Sequence, residues 1–457
     1  MPKSVIKVAS FGIGIFFALN AQAGVMEDKS VTFDQRANAA KNTYGLVGSS
    51  DDAPIWNGVY VASQAHRFRV THDPQALRQM EDALYGLVTL HDVTNIPGFF
   101  GRKIEPLIIG LNGAPVLQDG YQVGHGVWSK YAWKGKISHD QVVGYLYGLG
   151  EAWPYIQNSD LKTKVRNVAT QIGQHFIDHK EKIQGPGTDL DFSPARIKID
   201  FLPEALSFLT DAILPRGGKA MYALQLLKVV SVITNNSLFI SYYKKLLDDK
   251  NYGALIRDYT QGFTEKIVED NIGAIDFFAR FQAGFVVRAT PDSLRADIAQ
   301  NLSHLALYSL SSLETDISYR KDFVEALKRS HFYVARHSNT FWNFLAVSQI
   351  ENDPQGIIEG KNSLSVFPMD NYGLRSNSGD NSIPKYKGLS PNFFKGANWK
   401  WYSKLPLPFE RRPMHSFAWQ QNAFEMDGAY GSHDCPGVAY LAAYWMGRAY
   451  GYIGPHE

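Results

Sequence analysis

Apolar side chains recur every three or four residues over most of the stretch from about residue 57 to residue 365. Residues at that spacing lie on one face of an α-helix, where they can pack against a neighbouring element. Two such stripes are Leu161, Val165, Val168, Ile172 and Phe176, and Leu202, Leu206, Leu209 and Ile213. The pattern predicts a mostly helical chain whose helices follow one another in pairs.

Capping residues predict where several helices begin. A polar residue followed by proline at the first helical position occurs at Asp73-Pro74, Thr290-Pro291 and Asp353-Pro354. Ser138 and Gln141 form a capping box for a helix that runs to about residue 153. A first helix is predicted over 58–70 and a last helix over 437–450.

Strand signals are scarce, and two long segments lack helical periodicity. Only 197–201 alternates between apolar and polar residues, which is too short to imply a sheet. The segments 95–136 and 367–436 hold many of the Gly, Pro and Asn residues, so both are predicted to be irregular. Irregular segments of that length are uncommon in compact domains unless they carry a function.

The helix pairing, an aromatic content of 13% and the segment Asp52-Ala53-Pro54-Ile55-Trp56-Asn57-Gly58 before the predicted first helix resemble the α/α toroids. In that superfamily about six helical hairpins form a ring. The resemblance covers most of the chain and is architectural. It implies an all-α fold with little β-structure, formed as a single domain over 24–457. Members are often glycoside hydrolases, polysaccharide lyases or sugar epimerases, with the site at one mouth of the ring. An open α-solenoid is the main structural alternative.

The first 23 residues have the three parts of a secretory signal. Lys3 and Lys7 supply the positive charge, 8–19 is apolar, and Ala21-Gln22-Ala23 is a small-x-small cleavage site. We therefore expect cleavage after Ala23 and a periplasmic or secreted protein. The apolar stretch is shorter than the roughly 20 residues that span a bilayer, and so is 220–233, so no integral membrane segment is expected after signal removal.

Charge and cysteine content exclude several classes of protein. The formal charge of the chain is +2, and Lys3 and Lys7 account for it, so the mature chain is neutral. A neutral chain lacks the basic surface of nucleic-acid-binding proteins, and no nucleic-acid partner is expected. Cys435 is the only cysteine, so no intrachain disulfide can form.

Three groups of residues are candidates for a site. The first joins Asp52 to Trp56 and Tyr60, which follow at helical spacing. Its structural alternative is a carboxylate placed at a helix N-terminus, followed by a solvated helix face.

The second group is a Trp-rich loop and the helix after it. Trp128 lies in the loop, and the helix carries Asp140 and Glu151 on one face, where both acids could point at the same cleft. Between them, Gly144 and Gly148 permit close approach of a ligand or of another backbone. The structural alternative for Asp140 is again a carboxylate favoured in the first turn of a helix.

The third group lies near the end of the chain, where aromatic and charged residues alternate in an irregular segment. Its members are Trp419, Glu425, His433, Asp434, Tyr444 and Arg448. Aromatic rings stack on the apolar faces of sugars, although they also serve as core material.

Together these groups predict a carbohydrate-active enzyme acting on a polysaccharide or oligosaccharide. For hydrolysis, the expected catalytic carboxyls are Asp52, Asp140 and Asp434, with Glu425 in reserve. For elimination or epimerisation, Tyr60 or His433 would be the base, and Arg102 or Arg448 would bind a uronate carboxylate. A non-catalytic glycan-binding or scaffolding protein of the cell envelope is the alternative class.

The expected site has no cofactor and no metal. His175 and His179 could reach one ion, but both lie at a helix end, where histidine is expected for electrostatic reasons. The segments 95–136 and 367–436 are expected to fold over one mouth of the ring. Trp56, Asp140 and at least one of Trp419 and Asp434 should then line a shared pocket.

Overall fold

The computed structural model describes residues 24–48, 51–194, 216–256, 297–350, 353–369, 376–389, 399–412, 423–427 and 437–457. These residues are mainly helical, which confirms the all-α class. The helices are α1 (Val25–Ala39), α2 (Ala53–Thr71), α3 (Pro74–Asp92), α4 (His139–Ala152), α5 (Ser159–Asp178), α6 (Arg216–Thr234), α7 (Ser237–Asp248), α8 (Asp297–Leu313), α9 (Ile317–Val334), α10 (Thr340–Val347), α11 (Pro354–Ser365) and α12 (Val438–Ala449).

The even-numbered helices, called the inner helices below, contact one another in sequence from α2 to α12, and α12 contacts α2. The contacts among inner helices therefore form a closed cycle. Each odd-numbered helix packs on an inner one: α1 on α12, α3 on α2, α5 and α7 on α6, α9 on α8, and α11 on α10. Burial follows this division, because α2 and α4 are buried around nearly their whole circumference whereas α5 buries one stripe.

Helices α2 and α4 run parallel and lie very close together. Asp52 bonds to Gln141 near the start of both helices, and His66 approaches Glu151 near their ends. Between these levels, a Cβ atom placed on Gly148 would lie only 2.5 Å from the Cα atom of Gly58. Gly144 and Gly148, which were predicted to permit close approach of a ligand or another backbone, therefore lie against the backbone of α2.

The predicted helix starts are confirmed at three capping sites. The Asp73 carboxylate accepts from the Gln75 backbone N–H at 2.8 Å, and that of Asp353 accepts from the Gly356 N–H at 2.9 Å. In the capping box, the Ser138 N–H donates to Gln141 Oε1 at 2.9 Å. The stripe that runs from Leu161 to Phe176 is buried on α5.

Several element predictions are wrong. Helix α1 lies in a segment for which no helix was predicted, and α2 begins at Ala53, with proline in its first turn, rather than at residue 58. The segment 95–136 was predicted to be irregular, yet it contains a three-stranded antiparallel sheet in the order β1, β3, β2. Its strands are β1 (Lys103–Pro106), β2 (Tyr121–Val123) and β3 (Tyr131–Lys134). Strands this short give almost no alternation in sequence, and their pairing depends on residues far away along the chain.

Two further antiparallel strand pairs are present. They are β4 (Lys182–Gly185) with β5 (Thr188–Asp191), and β6 (Lys385–Leu389) with β7 (Trp399–Ser403). The second pair belongs to the segment 367–436, which was also predicted to be irregular. Three features noted in the sequence lie outside the described residues: the short alternation at 197–201, the apolar stripe at 202–213 and the helix start at Thr290-Pro291.

The connections differ between the two ends of the inner helices. The upper face is defined as the end where the inner helices begin, and the lower face as the end where they finish. The long connections 93–138 and 366–437 lead into the starts of α4 and α12. The connections that leave α2, α6 and α8 are only two or three residues long, at 72–73, 235–236 and 314–316. Over the described residues, no helix is both long and apolar enough to cross a membrane.

Candidate functional site

Asp52 lies at the upper face, at the residue preceding α2, and is held by two donors from distant segments. Arg102 donates to Asp52 Oδ1 at 2.5 Å, and Gln141 Nε2 donates to the same oxygen at 2.7 Å. Gln141 also accepts the capping hydrogen bond of α4, so one side chain both starts that helix and orients Asp52. These two hydrogen bonds fix the position of the Asp52 carboxyl group against the start of α4.

Asp140 lies in the first turn of α4, beside Asp52, in a different environment. Burial raises the pKa of the Asp140 carboxyl above its usual range, and the nearby charge of Asp52 raises it further. A hydrogen bond donated by the Ser138 hydroxyl and the charge of Arg102 oppose this effect. The upper face therefore holds a carboxyl with a raised pKa, Asp140, next to one that accepts hydrogen bonds from two donors, Asp52.

Arg102 connects three segments at this site. Besides contacting Asp52, its Nε donates to the Asp51 carbonyl at 2.8 Å, and a terminal nitrogen donates to the Lys136 carbonyl at 3.1 Å. Each guanidinium nitrogen thus already has a partner within the chain. This arrangement suits a residue that positions Asp52 better than one that binds a substrate carboxylate.

The sheet of the 95–136 segment packs against the same face. Lys134 on β3 donates to Asp51 Oδ2 at 2.5 Å, and Lys103 on β1 lies 3.5 Å from Asp51 Oδ1. Partial burial opposes ionisation of Asp51, but these two lysines together lower its pKa below the usual range. Arg102, Lys103 and Lys134 therefore lie over the start of α2.

Two residues of the second long segment, Arg412 and Phe424, contact the residues just before α10. Arg412 donates to the carbonyl of His337, which comes just before α10, at 2.5 Å, and Phe424 packs edge-on against the His337 ring. Glu425 is buried, and its backbone pairs with Tyr402 of β7. The predicted residues Trp419, His433 and Asp434 lie outside the described residues, so the predicted pocket shared with Trp56 and Asp140 stays a prediction.

Trp56 and Tyr60 belong to the core beneath this site. Their side chains are 5% and 0% exposed. In this arrangement neither ring presents a face to a ligand. Burial also raises the pKa of Tyr60, which works against the tyrosinate base that elimination would require.

Tyr444 and Arg448 lie near the end of α12, toward the lower face. Arg448 donates to the Tyr444 hydroxyl at 3.0 Å, and both residues are close to where α12 meets the last turns of α2. His66 in those turns is fourteen residues beyond Asp52, which corresponds to about 21 Å along a helix. The structure therefore separates these two predicted ligand-binding residues from Asp52 and Asp140.

Glu151 was predicted to share a cleft with Asp140, but the structure places it at the lower face, with partners that were not predicted. Glu151, with a side chain 13% exposed, accepts from the Tyr308 hydroxyl at 3.2 Å and lies 3.4 Å from His66 Nε2. The hydroxyls of Tyr308 and Tyr450 lie 2.8 Å apart. Burial raises the pKa of Glu151 to about 7 and lowers that of His66 to about 3.

The positions of Glu151 and Asp140 along α4 explain why they do not form one site. Eleven residues separate the two acids, which corresponds to about 16 Å along the axis. One acid therefore lies at each end of the helix, because two residues on the same helix face can still be far apart along its axis. The only sequence signal for the lower cluster is the spacing of Tyr147 and Glu151 on that face.

Metal ligation has little support in the part of the chain that the structure describes. No group of three His, Cys, Asp or Glu side chains there is arranged to hold an ion. His175 Nδ1 contacts the Pro97 carbonyl at 2.9 Å, and its Nε2 accepts from the Gln184 N–H at 3.0 Å. Both nitrogens of this predicted alternative ligand are therefore occupied.

Trp128 is half-buried and packs beside Tyr131, with ring centroids 5.8 Å apart. Unlike Trp56, it keeps part of its ring exposed, so it can contact a ligand.

When the chain is compared with known protein families and with curated proteins, neither comparison finds a match.

Proposed function

We propose that this chain is an exported carbohydrate-active enzyme, built as an α/α toroid, that hydrolyses glycosidic bonds at its upper face. The closed cycle of contacts among the inner helices supports the toroid, and the composition of residues 1–23 supports export. Neutral net charge and high aromatic content agree with a sugar ligand.

The observation that carries the proposal is the contrast between Asp52 and Asp140. Glycoside hydrolysis requires one carboxyl that donates a proton to the leaving group and another that is ionised. Two neighbouring carboxyls whose environments favour opposite protonation states supply these roles. We assign the general acid to Asp140, whose pKa is raised by burial, and the second carboxyl to Asp52, which Arg102 and Gln141 hold in place.

Elimination has weaker support than hydrolysis. Its predicted base Tyr60 is buried with a raised pKa, and its predicted cation Arg102 already donates from each nitrogen. His433 is the remaining base from the sequence prediction.

The test is a screen of neutral and uronate polysaccharides, read by new reducing ends and by the absorbance of unsaturated uronates. Once a substrate is found, Asp140→Asn should lower kcat by at least about 100-fold, since general acid catalysis contributes roughly 10²–10⁴. Asp160→Asn is the matched control, because Asp160 occupies the first turn of α5 as Asp140 does that of α4, but is exposed.

Three results would contradict hydrolysis. Release of unsaturated ends would indicate elimination. Full activity in Asp140→Asn would remove the proposed acid. Ligand binding without turnover of any polysaccharide would favour the non-catalytic alternative.

A further inference from the structure

A surface cavity of about 550 Å³ lies between the turn that follows α1, helix α3 and the connection from β2 to β3. Its walls include Lys41, Tyr44, Asp82, Tyr85, Trp128 and Tyr131. The volume falls within the range of roughly 300–1,000 Å³ that is typical of small-molecule sites. Asp52 and Asp140 are not among its lining residues, so the cavity is distinct from the carboxyl pair.

The aromatic rings of this cavity support one another. Tyr44 meets Tyr131 edge-on with centroids 5.2 Å apart, and the Lys164 ammonium lies 5.6 Å from the centroid of Tyr85. All four aromatic side chains of the wall are half-buried, so each keeps part of its surface for contact. Rings already fixed by neighbours lose little conformational freedom when a ligand stacks on them.

Trp128 is held on a tight turn at the rim. Its backbone N–H donates to the His125 carbonyl at 3.0 Å, and the N–H of Gly124 donates to the Tyr131 carbonyl at 2.8 Å. A Cβ atom on Gly124 would lie 2.3 Å from the Trp128 carbonyl oxygen, so this turn requires glycine there. The indole is therefore positioned before any ligand arrives.

Polar groups accompany the rings. Lys41 Nζ lies 3.6 Å from Asp82 Oδ2, and Asp82 is largely exposed, so the pair can exchange hydrogen bonds with a ligand. A flat apolar surface next to charged donors and acceptors matches a sugar ring, which has apolar faces and hydroxyls at its edge. A proline-rich peptide would use the rings but has less need of the charged pair.

Strand β3 runs from the cavity to Asp51, the neighbour of Asp52 in the chain. Tyr131 lines the cavity at one end of this strand, and Lys134 contacts Asp51 at the other. Three residues of a strand span about 10 Å, so a short oligosaccharide can reach from one place to the other.

We propose that this cavity is a carbohydrate-binding subsite that holds part of an oligosaccharide chain beside the Asp52–Asp140 pair. The choice of a sugar as ligand rests on the proposed function. The location of the subsite rests on the cavity itself.

Calorimetry tests the subsite directly with four probes: cellohexaose, chitohexaose, hexagalacturonate and hexamannuronate. Binding is measured in the Asp140→Asn background, so that no probe is consumed. Trp128→Ala should weaken binding of the preferred probe about tenfold or more, and Trp128→Phe should restore most of it because a flat ring remains. Trp153→Ala is the control, since Trp153 is half-buried elsewhere, beneath Lys162 and Arg166. Thermal unfolding of each variant confirms that it is folded.

The outcomes separate the two proposals. Wild-type affinity in folded Trp128→Ala overturns the subsite and leaves the carboxyl pair untouched. Loss of binding in Trp128→Ala without turnover by the unmodified chain supports the subsite and overturns the hydrolytic function. Binding of a proline decapeptide in place of all four sugars overturns the subsite as a carbohydrate site.

Discussion

Glu151 shows how strongly the interior of this molecule perturbs a single side chain. Burial raises its pKa to about 7, so near neutral pH a large fraction of this carboxyl is protonated in the folded chain. In the unfolded chain it ionises near 4.5. Between these two values the folded state binds more protons than the unfolded state, so the contribution of Glu151 to stability falls as pH rises from about 4.5 to about 7.

Glu151→Gln should therefore stabilise the protein at pH 8 and have little effect at pH 4. The expected gain at pH 8 is on the order of 2–3 kcal/mol, because an amide carries no charge to desolvate and can still accept from Tyr308. Denaturant unfolding at both pH values measures it. Glu325→Gln is the control, since Glu325 is half exposed and pairs with Arg329. An equal effect of Glu151→Gln at both pH values would mean that the pKa of Glu151 is the same in the folded and unfolded chain.

Among the described helices, α2 and α4 approach each other very closely. A Cβ atom on Gly58 would lie 1.9 Å from the Gly144 carbonyl oxygen, and one on Gly144 would lie 2.5 Å from Ile55 Cγ1. These distances leave no room for a methyl group. Because the same two helices carry Asp52 and Asp140, their spacing also sets the geometry of the carboxyl pair.

Alanine substitutions along α4 should have opposite effects at two neighbouring glycines. Gly148→Ala forces the helices apart and should cost roughly 1–3 kcal/mol, whereas a Cβ on Gly150 would lie 3.5 Å from Val229, an ordinary contact. Gly150→Ala should therefore raise the free energy of unfolding by up to about 1 kcal/mol through helix propensity. Urea unfolding of both variants checks this. If both variants were destabilised equally, the close contact with α2 would not explain the cost of Gly148→Ala.

The predictable elements are those whose signals are local. Ser138, Gln141, Asp73 and Asp353 act within three residues of a helix start, so their pattern in the sequence was sufficient. Helix α1 lacked such a signal, because Gly24 precedes it and no side chain caps it. The three-stranded sheet of the 95–136 segment could not be predicted, because residues 107–130 separate β1 from its partner β3 along the chain.

The site was predictable to the same extent. Asp52 and Asp140 each lie at a helix start whose position was partly visible in the sequence, whereas Arg102 lies beside β1, which was not predicted. Tyr444 and Arg448 were assigned to the same site because they are close in sequence to the aromatic segment before α12. Each residue of a helix lies about 1.5 Å further along the axis than the one before it. Tyr444 and Arg448 therefore lie nearer the lower face than the start of α12 does.

At the scale of the whole molecule, the cycle of inner helices is closed by contacts between the last helix and the first two. The Tyr440 hydroxyl on α12 donates to the Met26 carbonyl on α1 at 2.8 Å. Gly437, at the start of α12, has a φ of +80°, and a Cβ placed on it would lie 2.6 Å from Phe33 Cβ. This position therefore requires glycine both for its backbone conformation and for the closing contact.

Gly437→Ala should cost about 2–5 kcal/mol, the sum of the left-handed backbone penalty and the displacement of Phe33. Gly451 separates the two effects, because its φ of +74° is similar but nothing lies within 4 Å of the added Cβ. Gly451→Ala should therefore cost only about 1–2 kcal/mol. Denaturant unfolding compares the two variants, and equal losses would show that the contact with Phe33 contributes nothing.

The hydrogen bond from Tyr440 to Met26 joins residues 414 positions apart. At a synthesis rate of roughly 5–20 residues per second, about 20–80 s pass between the appearance of the first partner and that of the second. During that interval the surfaces of α1 and α2 that α12 later covers have no native partner. The apolar surfaces of α1 and α2 that α12 covers therefore stay exposed in the nascent chain until α12 has been synthesised. Substitutions in α12 should for this reason lower the yield of folded protein more than they lower the free energy of unfolding of the folded protein.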